Sequence, residues 1–113
     1  MILSERDQVF VEHMLECIGR IAKYTAGDRT NFFQSELVQD AVVRNLQVLA
    51  ESSQRLSESA KNTQTNIDWR AIAGFRNVLV HDYLGLDLET IWLVIEQDIP
   101  QLEKALKIMA AIE

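Results

Sequence analysis

The sequence predicts an all-α protein, an antiparallel helical bundle of four to five helices. Three observations carry that expectation. Apolar residues recur at helical spacing over long stretches, no segment alternates apolar and polar residues as a strand would, and residues that start or stop helices stand at the ends of those stretches. Phe10, Met14, Cys17, Ile21 and Tyr24 share one face of a first helix over about residues 5–25. Ser4 with Asp7 forms its start signal and Gly27 its stop.

Beyond the turn at residues 27–31, residues 32–56 read as one long second helix. Its stripe is Val38, Val42, Leu46 or Asn45, Leu49, Ser53 and Leu56, and a second stripe of Leu37, Ala41 and Val48, interrupted by Arg44, widens the face to be buried. Residues 57–66 carry no large apolar side chain and read as a flexible loop. Asp68 caps a third helix that begins at Trp69 and stops at Gly85. Asp87, preceded by the staple residue Leu86, caps a fourth. Pro100 suits the first turn of a fifth, whose stripe is Leu102, Leu106 or Ala105, Met109 and Ile112.

With 48% hydrophobic and 25% charged residues, a chain of 113 residues is expected to fold as one domain spanning 1–113. Eleven Lys and Arg against 17 Asp and Glu leave a net charge of −6, which argues against indiscriminate binding to nucleic acid or anionic membranes. A nucleic-acid role then needs a local basic site. The single cysteine, Cys17, reads as small core filler in a reducing, cytoplasmic setting. The opening MILSERDQ lacks the basic flank and apolar run of a secretory leader, and no apolar stretch is long enough to span a membrane.

Residues 76–83, RNVLVHDY, hold the chemistry. At about 100° per residue, Ile72, Ala73, Leu79 and Val80 all fall within about 60° of Arg76, which therefore stands inside the apolar arc of the third helix. An unpaired charge there is costly, so either a carboxylate from the second helix (Glu36, Asp40 or Glu51) meets it or the position is kept for an incoming anion. His81 is rotated from Arg76 by about 140°, whereas Asn77 and His81 are adjacent on one face. Gathering these groups requires the helix to loosen near His81 or a second copy of the motif to face the first.

Arginine offers a permanently charged planar fork suited to phosphate, and histidine moves protons near neutrality. Together they can cleave RNA without a metal: histidine deprotonates the 2′-hydroxyl, arginine stabilises the phosphorane, and a proton reaches the leaving 5′-oxygen. Asn77 can orient His81 or donate to the phosphate. The plain alternative is an ion pair and a hydrogen-bonded histidine of purely structural use. His13 beside Glu12 and Glu16 reads as surface charge, and two histidines with one cysteine make no zinc site. No glycine-rich phosphate loop is present, no cofactor is implied, and Trp69 and Trp92 read as core or interface anchors.

The pattern is R-x4-H-x-Y, and the chain resembles the HepT family of HEPN-domain proteins. The phrases QDAVVRNLQVLAE, NIDWRAIAGFRNVLVHDYLGLDLETIW and DIPQLEK carry the resemblance in the expected order over nearly the whole chain. It implies a homodimeric helical bundle, the toxin of a toxin–antitoxin system, that cleaves RNA without a metal through Arg76 and His81 with Asn77 in support. It also implies a partner, an MntA-like nucleotidyltransferase antitoxin that transfers AMP to Tyr83. Where the family often shows Gly-Glu-Ala-Ala, this chain has Ala50-Glu51-Ser52-Ser53, so Glu51 is kept while the small-residue contacts differ. A reading of another class is a non-catalytic helical adaptor that binds a nucleotidyltransferase or a nucleotide with the same surface.

Overall fold

The structure, a computed structural model, describes residues 3–81 and 87–112. All of its regular elements are helical, as the periodicity predicts. Helix α1 spans Glu5–Thr25, and the Ser4 hydroxyl accepts from the Asp7 amide at 3.0 Å. The chain leaves α1 through Ala26 (φ 53°) and Gly27 (φ 66°), two successive left-handed residues of which glycine tolerates the conformation without strain.

The long second helix expected over residues 32–56 is broken. Helix α2 spans Arg29–Gln34 and α3 spans Glu36–Gln54, separated by Ser35 in an extended conformation. Ser35 caps α3 by accepting from the Val38 amide, while the Gln39 side chain donates to the carbonyls of Phe32 and Phe33 at the end of α2. The break turns Phe32 fully into the core, 5.6 Å from the Trp92 ring. The first stripe of α3 is buried or half-buried along its length, whereas Leu37, at the first turn of the helix, is 80% exposed.

Residues 57–66 are not the flexible loop the composition suggests. Helix α4 spans Glu58–Lys61 and buries Ala60, and polar groups rather than apolar ones hold the segment. Ser57 donates to the Asp7 carboxylate through its amide at 2.8 Å and its hydroxyl at 2.7 Å. The Trp69 indole N–H donates to the carbonyls of Lys61 and Gln64.

Helix α5 spans Trp69–His81, with Asp68 accepting from the Ala71 amide at its start. The predicted stop at Gly85 and staple at Leu86 lie outside the described residues. Helix α6, Leu88–Leu93, is capped by Asp87 as expected. It continues without a loop through a π turn, Val94–Asp98, into α7, Ile99–Ala110. Pro100 has no N–H to donate back into the preceding turn, and the Ile99 amide reaches the Val94 carbonyl five residues back.

Helix α3 packs against α1 on one side and α5 on the other, and α7 covers α1. The pairs Arg55 with Phe10, Arg76 with Glu51 and Gln47 with Leu79 show α3 running antiparallel to α5 and meeting α1 near that helix's start with its own end. The molecule measures 44 × 27 × 21 Å, so its shortest dimension is about two helix diameters. A body that thin leaves α5 uncovered on its outer side. Among the described residues no helix is long and apolar enough to cross a membrane.

Asp7 is the buried charge that ties α1 to the α4 segment. Burial pushes its carboxyl up, yet hydrogen bonds from the Ser57 hydroxyl and amide and from the Ser4 hydroxyl, with Arg6 nearby, outweigh that and hold it below its ordinary value. A carboxyl depressed in the folded state contributes stability that is present above its unfolded value of about 3.9 and is lost as pH falls through the folded value. Asp7→Ala is expected to cost about 2–4 kcal/mol in urea denaturation at neutral pH. Wild-type stability should fall below about pH 4, and Asp7→Asn should show a shallower acid dependence over the same range.

Candidate functional site

Leu79 is fully buried, the one α5 side chain that is, and its position sets the rotation of the helix. The Gln47 side-chain amide on α3 donates to the Leu79 carbonyl at 3.3 Å, fastening α5 to α3 at that turn. With Leu79 inward, Arg76 stands at the edge of the α3–α5 seam while Asn77 and His81 face outward and are exposed.

Of the three carboxylates that could meet Arg76, the structure selects Glu51: its Oε1 is 3.7 Å from Arg76 Nε. The two side chains keep 43% and 31% of their surface exposed, so the arginine has a partner and still opens to solvent. Its Nε is sealed from water and has no hydrogen-bond partner, while Nη1 donates to the Asn77 side-chain oxygen at 3.4 Å. Asn77 thus connects Arg76 to the face that His81 shares one turn later.

Helix α5 stays regular through His81, so no loosening ahead of that residue brings it toward Arg76. What remains is the outer face of α5, along which Gly74, Asn77, Val78 and His81 form a stripe of exposed residues at helical spacing. A methyl group added at Gly74 would meet nothing within 4 Å, and Val78 and Val80 are 38% and 40% exposed. Tyr83, expected to carry AMP, lies outside the described residues.

A separate groove of about 380 Å³ runs between α3, α5 and α7, lined by Leu46, Leu49, Ile67, Ile72, Phe75 and Leu102 among others. Asp68 and Asp98 are its charged lining residues, and it contains none of Arg76, Asn77 and His81, so it is separate from the RNVLVHDY motif. His13 is exposed and stands edge-on to Phe10, and the nearby Glu16 pairs with Arg20. Among the described residues, no three His, Cys, Asp or Glu side chains converge closely enough to hold a metal ion. Cys17 is buried, and burial pushes its thiol up, away from the reactive thiolate. Trp92 is buried and Trp69 half-buried with its N–H bonded within the chain, so both act as anchors.

The sequence reading did not single out Gln47. The signal was available in its spacing: Gln47 and Glu51 are one turn apart on α3, and whichever carboxylate met Arg76 would carry its neighbour on that face to the next turn of α5.

With Arg76 at the edge of the α3–α5 seam and Asn77 and His81 on the exposed face of α5, the motif residues stand on an open helix surface. The profile of the family described as Ribonuclease HepT-like matches residues 14–109, and the chain belongs to that family. It is 30% identical over 95 residues to a Thermococcus cleftensis protein provisionally named ribonuclease HepT, covering 83% of this chain and 86% of that one. A Methanocaldococcus jannaschii protein provisionally named an RNase is 28% identical over 109 residues, 95% of this chain and 100% of its own length. A second protein of that organism, named a gamma-glutamylcyclotransferase and provisionally an RNase, is 36% identical over 109 residues, 94% of this chain and 49% of its own. The chain spans about half the length of that last relative. No solved structure matches the chain.

Proposed function

We propose that the chain is the toxin of a toxin–antitoxin system, a metal-independent endoribonuclease that works as a homodimer with Arg76, Asn77 and His81 of both copies around one cleft. The observation that carries this reading is the arrangement on α5: Arg76 is steadied at its Nε side and reaches Asn77, which shares an open helix face with His81. Family membership and the ribonuclease names of its relatives support the substrate class.

In this mechanism a His81 imidazole takes the proton of the 2′-hydroxyl, and the 2′-oxygen attacks the adjacent phosphorus. The Arg76 guanidinium stabilises the charge on the phosphorane oxygens, with Asn77 as a further donor. The P–O5′ bond breaks as a proton, supplied by the partner copy's protonated imidazole, reaches the 5′-oxygen. The products are a 2′,3′-cyclic phosphate and a 5′-hydroxyl. The substrate's own hydroxyl is the nucleophile, so no Ser or Cys is needed. Overall charge of −6 confines RNA to the cleft where the basic groups gather.

Wild-type protein should degrade RNA equally with and without EDTA, and most actively near neutral pH with a fall on both sides. Arg76→Ala and His81→Ala, folded as judged by circular dichroism, should each lose at least about 100-fold in rate. Activity abolished by EDTA and restored by a divalent ion would sink the mechanism. Equal decay of RNA by wild type and both variants would point to contaminating nuclease and favour an adaptor role.

A second copy would cover the exposed stripe of α5 and bring two motifs together. Light scattering at micromolar concentration should therefore give about 26 kDa, twice the 12.9 kDa chain mass. A particle that stays near the chain mass at every concentration would leave no shared cleft.

In the same reading an MntA-like nucleotidyltransferase antitoxin silences the toxin by attaching AMP to the Tyr83 hydroxyl. The added phosphodiester brings negative charge that competes with RNA phosphate for the arginine. Tyr83→Phe should cleave RNA at close to the wild-type rate yet resist silencing by the nucleotidyltransferase with ATP. Intact-mass measurement should show an AMP adduct on wild type alone; an adduct that persists in Tyr83→Phe would place the modification elsewhere.

A further inference from the structure

Glu51 sits between Ala50 and Ser52, both buried, on the helix that packs against α1, α2 and α5. Its backbone is therefore held in place while its side chain reaches the surface beside Arg76. The contact is of an unusual kind. At 3.7 Å, Oε1 is within ion-pair range of Arg76 Nε but beyond a hydrogen bond, and that Nε–H is sealed from water with no other acceptor. A donor in that position is offset only by the nearby negative charge.

A half-exposed ion pair of this sort adds little to stability. Its effect on geometry is larger. The arginine side chain has several free torsions, and its guanidinium is planar, so a charge on the Nε side and an acceptor at Nη1 define both the place and the tilt of the plane. Of the terminal nitrogens, Nη1 meets the side chain of the exposed Asn77, on the side where an incoming phosphate would approach.

We infer that Glu51 is a positioning residue for the RNA-cleaving arginine: its carboxylate holds the Arg76 guanidinium edge-on to α3 so that the terminal nitrogens meet the scissile phosphate. This rests on the ribonuclease reading above. The opposite effect of the same contact would be to quench the site, since a carboxylate beside the arginine also repels phosphate. The two differ in sign, and Glu51→Gln distinguishes them because it removes the charge while keeping the size of a side chain that no core packing depends on.

The experiment compares wild type, Glu51→Gln and Arg76→Lys as full-length purified chains, using a fluorogenic RNA oligonucleotide, thermal melting and the nitrogen-15 Nε–H resonance of Arg76, identified by its loss in Arg76→Lys. For Glu51→Gln we expect melting within about 4 °C of wild type. We expect kcat lower by about 10- to 100-fold with KM changed less than about threefold, as for a misplaced catalytic group, and a shifted Arg76 resonance. Wild-type kcat in Glu51→Gln, a rise in its activity, or a loss that tracks lower melting while the Arg76 signal stays put would each overturn the inference and leave the ribonuclease reading intact. If wild type itself cuts no RNA, that reading falls and the inference falls with it.

Discussion

The two-sided burial of α3 is the constraint on which the rest of the molecule depends. Val42, Leu46 and Leu49 are at most 3% exposed, and the helix packs α1 against one flank and α5 against the other. An α5 that must bury Leu79 against this seam has no freedom to rotate, because every side chain of a helix turns with the one that is fixed. Arg76, three residues before Leu79, then comes to the seam's edge, and Asn77 and His81 come to the open side. The placement of the three motif residues is a by-product of core packing: the buried Leu79 between them aims them.

Polar groups finish what the apolar core begins. Asp7 gathers Ser4 from its own helix start and Ser57 from fifty residues away, and Gln39 closes the carbonyls that the break at Ser35 leaves open. Gln47 fastens the end of α5, and Glu51 meets the arginine one turn further along the same face. Gln39, Gln47 and Glu51 occupy the helix flanks, half-buried, where a side chain can bond to a neighbouring element without being taken fully out of water. Such bonds cost little desolvation and still constrain geometry. The arginine that looked paradoxical inside an apolar arc is accommodated in this way, with its stem against the seam and its charge at the rim.

The elements that could be read from sequence are those whose cause is local. The extent of α1, the caps at Ser4, Asp68 and Asp87, the first-turn place of Pro100 and the main stripe of α3 all follow from spacing and short-range hydrogen bonds, and each stands where expected. The grouping of Arg76, Asn77 and His81 on one helix was legible for the same reason, as was the family, whose profile covers residues 14–109. What sequence left open was decided by groups that meet only when the chain is folded. Residues 57–66 carry nothing apolar enough to dock, yet they are ordered because the Asp7 carboxylate and the Trp69 indole supply partners for them. The break at Ser35 goes with the placing of Phe32 against Trp92, sixty residues along the chain. Three carboxylates could have met Arg76, and only the antiparallel register of α3 on α5, set by burying Leu79 and bonding Gln47 to its carbonyl, selected Glu51. Periodicity states which residues share a face; the choice of partner depends on helix register, which is a property of packing between elements and is carried by no single stretch of sequence.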